Sequence, residues 1–139
     1  MPIDDLARSD VVTADPDASV AELAATMDQE GVGSVMITDG DSPVGIVTDR
    51  DLTVRVLTDD ADPSGQTAAD VMTEDPQTID RNEGFYKATN LMAENGVRRL
   101  PVCEGDELVG IITADDLTEL IADEEQQLAE VIRAQRPEY

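Results

Sequence analysis

Two stretches of the chain, residues 19–30 and 82–95, place apolar side chains three and four positions apart. This spacing puts the apolar side chains on one face of a helix. The first stretch opens with the S-x-x-E pattern of a capping box. Each stretch ends at a glycine, Gly31 or Gly96, a residue that tolerates the positive φ of a helix terminus. The sequence therefore predicts two helices, with apolar faces formed by Val20, Leu23, Ala24 and Met27 and by Phe85, Ala88, Leu91 and Met92.

Shorter apolar runs with the length of strands surround each of these helices. One run precedes each helix, at residues 11–13 and 77–79, and two runs follow it, joined by a tight acidic turn around Gly40 or Gly105. A second helix then begins, over residues 49–57 in the first case and from residue 114 in the second. The predicted order is strand, helix, strand, strand, helix, and it occurs twice. The paired strands are expected at residues 34–37 and 44–48, and at 99–103 and 108–113.

The two series are copies of each other. Residues 3–57 align without a gap on residues 68–122, and the phrase GIVTDRDL at residues 45–52 returns 65 positions later as GIITADDL. Such a match in constant register indicates an internal duplication. One copy of about 55 residues is too small to bury a good core alone. We therefore expect a mixed α/β (α+β) fold in which two βαββα repeats pack with pseudo-twofold symmetry.

Turn-forming and acidic residues between the two repeats set the expected domain boundaries. The first repeat takes residues 1–60, an acidic linker with Pro and Gly takes about residues 58–66, and the second repeat takes residues 67–124. Residues 125–139 form a helical tail with a partial apolar stripe. Two interpretations of that stripe stay open: it packs on its own domain, or it pairs with a second protomer.

Composition narrows the possible functions. Thirty-two acidic residues against nine basic ones give a net charge of −23, which disfavours binding to nucleic acid or to an anionic membrane. The absence of histidine and the single Cys103 remove the commonest general base and any cysteine-based zinc site. The charge resembles that of proteins from salt-loving archaea, so we expect the fold to depend on salt. The N-terminus lacks a signal-peptide pattern and no apolar run approaches the roughly 20 residues of a membrane span, so we expect a cytoplasmic protein.

The repeated phrase has a structural explanation and a functional one. Thr-x-x-Asp at a helix start is a capping box, which accounts for Thr48 with Asp51 and for Thr113 with Asp116 without any ligand. The same arrangement suits a nucleotide, because a helix start attracts phosphate and a carboxylate can accept hydrogen bonds from ribose hydroxyls. The glycine that opens each phrase allows a ligand or a neighbouring strand to approach closely.

The chain resembles a tandem pair of cystathionine-β-synthase (CBS) domains, also called a Bateman module. The resemblance covers about residues 3–122 and rests on both copies of the phrase, on the passages MDQEGVGSVMIT and MAENGVRRLPVC, and on the Val-Met-Thr sequence at residues 71–73. It implies two clefts between the repeats that bind adenosine-containing ligands: AMP, ADP, ATP or S-adenosylmethionine. It implies phosphate and ribose contacts from Thr48, Asp51, Thr113 and Asp116. It also implies that the base pocket is lined by main-chain groups of Val12, Thr13, Ala14, Gln77, Thr78 and Ile79.

The copies differ where a phosphate would bind. Arg50 lies inside the first phrase and Asp115 takes its place in the second, whereas Arg98 and Arg99 replace a glycine and a serine of the first copy. These arginines either pair with carboxylates or hold a phosphate, and Pro101 can edge a cleft. The difference predicts two unequal sites.

We therefore expect a regulatory nucleotide sensor, without catalysis, that forms homodimers and acts on an effector protein. An adenine nucleotide is its expected regulatory ligand. The alternatives are an interaction scaffold with vestigial sites and a sensor of S-adenosylmethionine or of divalent cations.

Overall fold

The computed structural model describes residues 1–137; Glu138 and Tyr139, the last two residues of the expected tail, lie outside the described residues. A 3-10 turn at Ile3–Asp5 precedes the regular elements, and a π-helical turn at Thr53–Leu57 continues α2. The elements are β1 (Thr13–Ala14), α1 (Val20–Glu30), β2 (Ser34–Asp39), β3 (Ser42–Thr48), α2 (Asp49–Leu52), α3 (Ala68–Val71), β4 (Thr73–Glu74), β5 (Ile79–Asp80), α4 (Phe85–Asn95), β6 (Arg99–Glu104), β7 (Glu107–Thr113) and α5 (Ala114–Gln135).

The predicted order of elements and the duplication are confirmed. Strands β1 to β4 form one sheet in chain order, and β5, β6 and β7 form the other. In each sheet the leading strand pairs parallel with the next, which pairs antiparallel with the third. The registers agree at the offset of 65: Val35 lies opposite Val47, and Leu100 lies opposite Ile112. The two copies therefore adopt one βαββα fold twice.

Some element boundaries differ from the expectation. The leading strands are Thr13–Ala14 and Ile79–Asp80, later than predicted, because only these residues reach the parallel ladder of β2 or β6. Helix α4 begins at Phe85 rather than at residue 82. The carbonyl of Glu83 accepts a hydrogen bond from the Ile3 amide (2.7 Å), so the residues before Gly84 bind the N-terminal segment and do not form the first turn of the helix.

The opening segment of each copy packs into the core of the other copy. Ile3 is fully buried and belongs to the apolar cluster of the second repeat. Ala68 and Val71, in α3, are buried in the cluster of the first repeat, where the Ala68 amide donates to the Ala18 carbonyl (2.8 Å). A single copy therefore does not bury a core by itself, because each core includes buried residues from the opening segment of the other copy.

The glycine of each repeated phrase lies where this exchanged segment crosses the sheet. A Cβ on Gly110 would lie 2.9 Å from the main-chain oxygen of Arg8, and a Cβ on Gly45 would overlap the Met72 side chain. Arg8 and Ile111 exchange two main-chain hydrogen bonds, just as β4 pairs with β3 in the first repeat. The sequence allowed either a ligand or a neighbouring strand beside these glycines. In the structure, a neighbouring segment of the same chain lies there.

The tail continues α5 as one helix to Gln135 and leaves its apolar stripe exposed. Ile121, Leu128, Val131 and Ile132 are each half or more exposed. In the first repeat the linker covers the equivalent face, because the Pro63 carbonyl accepts the Ala21 amide (3.0 Å) and Val56, the counterpart of Ile121, is buried. Within the described chain, the stripe therefore does not pack on its own domain.

Candidate functional site

Two clefts lie where the copies meet, and each combines the Thr-x-x-Asp phrase of one copy with the leading segment of the other. The first cleft, of about 400 Å³, joins Thr48 and Asp51 to Gln77. The second, of about 230 Å³, joins Thr113 to Val12. The first is lined by Ile46, Thr48, Asp49, Arg50, Asp51, Thr73, Asp75, Pro76, Gln77, Asn95, Val97, Arg98, Arg99 and Pro101. The second is lined by Arg8, Asp10, Val11, Val12, Gly31, Val32, Gly33, Ser34, Met36, Arg99, Ile111, Thr113 and Asp115.

Thr48 and Asp51 form the predicted capping box at the floor of the first cleft. The Thr48 amide donates to Asp51 Oδ2 (2.9 Å), and the Asp51 amide donates to Thr48 Oγ1 (3.1 Å). The other carboxylate oxygen, Oδ1, lies 3.9 Å from Arg55 Nε, which is longer than a hydrogen bond. Asp51 therefore caps the helix with Oδ2, whereas its Oδ1 makes only the long contact with Arg55.

Thr113 and Asp116 form the same box in the second repeat, with distances of 3.1 and 3.2 Å. Here the second oxygen is occupied. Asp116 Oδ1 accepts from both Arg8 Nε (3.2 Å) and Arg8 Nη2 (2.9 Å). The hydrogen bond and the charge of Asp116 raise the pKa of Arg8 above its ordinary value. Thr113 lines the second cleft, and Asp116 is not among its lining residues.

The three arginines singled out in the sequence all line the first cleft. Arg98 Nη2 lies 3.3 Å from Asp115 Oδ1, but both side chains are more than three-quarters exposed, so this pair contributes little. Among residues 1–137, Arg50 and Arg99 have no carboxylate oxygen within 4.0 Å. Two guanidinium groups of the first cleft are thus not neutralised by a direct ion pair with a described carboxylate.

Each cleft lining carries as many arginines as acidic residues, on a chain with a net charge of −23. The first has Arg50, Arg98 and Arg99 against three aspartates, and the second has two of each. The clefts are therefore less negative than the average surface. They differ in how the charges are paired, because Asp116 holds Arg8 in the second.

The residues that the resemblance placed near the base, together with Pro101, which was expected to edge a cleft, lie in different surroundings. Gln77 and Pro101 line the first cleft and Val12 lines the second, whereas Thr13, Ala14, Thr78 and Ile79 line neither. Ile79 is buried in the second core and Ala14 packs against the first, so their side chains are unavailable to a ligand in either cleft. Only their main-chain groups can serve a base.

Several lining residues were not identified from the sequence. Thr73, Asp75 and Pro76 follow the linker and line the first cleft, and their counterparts Arg8, Asp10 and Val11 line the second. The offset of 65 relates these two sets, so finding one set would have given the other. What was missing is the exchange of opening segments, which puts both sets at the clefts.

Within residues 1–137, no group of three or more Asp, Glu, His or Cys side chains is arranged to hold a metal ion. In the same part of the chain, no helix is both long enough and apolar enough to cross a bilayer.

A family model for the CBS domain matches residues 3–57 and 68–123. The chain is 34% identical over 120 residues to the uncharacterized protein MK0525 of Methanopyrus kandleri, covering 85% of this chain and 61% of that protein. It is 32% identical over 116 residues to the CBS domain-containing protein YhcV of Bacillus subtilis, covering 83% and 81%.

Solved structures share the fold. The CBS-domain protein ATU1752 from Agrobacterium tumefaciens has a TM-score of 0.78 at 31% identity, covering 86% of this chain and 98% of that one. CBS domain protein PAE2072 from Pyrobaculum aerophilum, solved in complex with AMP, has a TM-score of 0.76 at 23% identity, covering 84% and 89%. The CBS domain pair of protein MJ0100, in complex with 5′-methylthioadenosine and S-adenosyl-L-methionine, has a TM-score of 0.80 at 22% identity, covering 89% and 98%.

Proposed function

Because this chain belongs to the CBS-domain family and contains two copies of the domain, we propose that it is a regulatory module that binds an adenine nucleotide in the first cleft. The observation that carries the proposal is that Asp51, whose Oδ1 accepts no hydrogen bond from a described residue, lines the same cleft as Arg50 and Arg99. The carboxylate accepts hydrogen bonds from vicinal ribose hydroxyls, and the guanidinium groups bind phosphate. The volume of about 400 Å³ lies in the range of small-molecule sites.

AMP, ADP or ATP is the proposed ligand class, because two arginines without a direct carboxylate partner favour an anionic group. The AMP complex of PAE2072, a protein with the same fold, supports a nucleotide as the ligand class. The complex of MJ0100 makes S-adenosylmethionine the main competing ligand, although its positively charged sulfonium gains nothing from Arg50 and Arg99.

Titration of the full chain with AMP, ADP, ATP and S-adenosylmethionine by calorimetry in molar KCl tests the proposal. We expect the phosphate-bearing ligands to bind and Asp51→Ala to weaken their binding at least about tenfold, the loss of a charge-assisted hydrogen bond. Asp70→Ala is the matched control. Asp70 closes an equivalent capping box with Thr67, lies outside both clefts, and should leave affinity unchanged while costing a similar stability. Unchanged affinity in Asp51→Ala would reject the proposed site.

We propose a regulatory role without catalysis, in which ligand binding between the copies shifts their relative position and an effector protein reads the shift. Such control requires a ligand affinity that differs between two states. Incubation with ATP tests the non-catalytic part, and phosphate release proportional to protein concentration would contradict it. The scaffold alternative predicts that an effector, once isolated, binds Asp51→Ala and wild type equally whether or not nucleotide is present.

We also propose that the chain forms homodimers through the exposed stripe of α5. Charge is segregated along this helix: acids dominate the half near Thr113, and Arg133 lies in the last turn. Antiparallel pairing about Leu128 brings Arg133 opposite Asp123 of the partner subunit, so the charges attract and the exposed apolar residues are covered. Light scattering should give a dimer that Leu128→Gln dissociates and that Leu57→Gln, at an exposed leucine outside α5, leaves intact. A monomeric wild-type chain would refute it.

A further inference from the structure

We propose that Arg8 is an intramolecular latch on the second cleft. Its guanidinium forms hydrogen bonds to the Asp116 carboxylate, which a nucleoside would need. This cleft therefore binds nucleosides more weakly than the first. The inference rests on the proposed function, because it assumes that the Thr-x-x-Asp carboxylate receives the ribose.

The latch is visible in the hydrogen bonds of Asp116. Its Oδ2 accepts the Thr113 amide, and its Oδ1 accepts two donors from Arg8, so neither oxygen is free. The Asp116 side chain is only one-tenth exposed, and that of Arg8 is about two-thirds exposed. A ribose that is to hydrogen-bond to Oδ1 of Asp116 must therefore displace the guanidinium.

In the first cleft, no residue of the described chain donates a hydrogen bond to Oδ1 of Asp51. Thr73 stands at the position equivalent to Arg8, and its short side chain cannot reach across to Asp51 as an arginine does. The nearest cation to Asp51 is Arg55, which donates instead to the Val71 carbonyl (2.7 Å). The two carboxylates thus have the same capping role but different availability.

The main chain holds Arg8 in place independently of its side chain. The Arg8 amide donates to the Ile111 carbonyl (2.9 Å), and the Ile111 amide donates back to Arg8 (3.0 Å). Ile46 and Thr73 are paired at the corresponding position of the first repeat. A threonine is therefore compatible with this backbone position, and Arg8→Thr should fold as the wild type does.

Adenosine is the probe for the test, because it carries ribose without phosphate and so does not depend on the arginines that bind anions. The titration follows the backbone amide NMR signals of Thr48 and Thr113, which report on the first and second clefts separately. In wild type, we expect Thr113 to respond at higher adenosine concentrations than Thr48. In Arg8→Thr, the affinity seen at Thr113 should rise about fivefold, the upper range for an exposed ion pair, with no change at Thr48.

Two further variants sharpen the comparison. Thr73→Arg should transfer the latch and weaken binding at Thr48 while leaving Thr113 unaffected. Lys87→Thr changes the net charge equally but lies on α4, outside both clefts and outside the proposed dimer helix, so both affinities should stay at the wild-type values.

The possible outcomes separate the latch from the proposed function. Equal affinities at Thr48 and Thr113 in wild type, or no gain at Thr113 in Arg8→Thr, would overturn the latch and leave binding in the first cleft standing. A gain in Lys87→Thr as large as in Arg8→Thr would also overturn it, because net charge would then be the cause. Absence of adenosine and AMP binding in every variant would overturn both.

Discussion

Replacing Ile3 by alanine should destabilise the second repeat, although Ile3 precedes the first repeat's leading strand in sequence. Its side chain is fully buried in the second core, together with Leu100 and Ile112. Truncation of a buried isoleucine to alanine costs about 2–5 kcal/mol, and truncation to valine about 0.5–1.5 kcal/mol. A chain of this size has a free energy of unfolding of about 5–15 kcal/mol. The alanine variant therefore loses a large share of it.

Urea unfolding followed by circular dichroism in molar KCl measures the loss directly. We expect one cooperative transition in wild type and in both Ile3 variants, because each core includes a segment from the other copy. Cys103 gives a second, local readout: it is the only cysteine, lies on β6, and is buried. Its labelling rate by a thiol reagent should rise in Ile3→Ala by a factor of ten for each loss of about 1.4 kcal/mol in stability, because labelling tracks the population of the opened state.

Val71→Ala is the reciprocal test, and Val54→Ala is the control at an exposed residue. Val71 is the reciprocal case, a residue of the second copy buried in the first core, and its truncation should also accelerate labelling of Cys103. Val54 is about half exposed, so its truncation should change stability by less than about 0.5 kcal/mol. A cost below about 1 kcal/mol for Ile3→Ala, or a separate first-repeat transition that stays unshifted, would refute the exchange of segments between cores.

Three other predictions concern Gly110, the Cys103 thiol and the net charge of the chain. Gly110→Ala should cost about 1–3 kcal/mol, since its Cβ would lie 2.9 Å from the main-chain oxygen of Arg8, whereas Gly65→Ala meets only ordinary contacts and should be tolerated; equal melting temperatures would contradict this. Burial, with smaller contributions from Asp106 and Asp80, raises the pKa of the Cys103 thiol. The stability that this shift provides is complete below the ordinary thiol pKa of about 8.5 and is lost as pH rises through the higher native value, so Cys103→Ala should flatten the alkaline decline in unfolding free energy. Finally, we propose that the charge of −23 makes the fold halophilic, so the melting temperature should rise between low and molar KCl, and an indifferent melting temperature would remove that proposal.

The sequence by itself determined the local architecture and the duplication. Helix α1 could be predicted because its cap, apolar face and terminal glycine all lie within a dozen consecutive residues. The capping role of Thr48 and Asp51 could be predicted for the same reason, since the two residues lie three positions apart. The constant offset of 65 then required both copies to repeat these elements, and the resemblance carried by the repeated phrase indicated the family.

Only the tertiary structure decided how the clefts are assembled. Arg8 and Asp116 are 108 positions apart, and no periodic or capping pattern relates two residues at that separation. Their contact exists because the opening segment of the first copy pairs with β7. The residues next to Arg8 or Asp116 in the sequence do not predict that pairing. Local hydrogen bonds and apolar periodicity are fixed by neighbours along the chain. The assembly of the clefts, the burial of Ile3 and the availability of each carboxylate depend instead on how the two copies bury surface against each other.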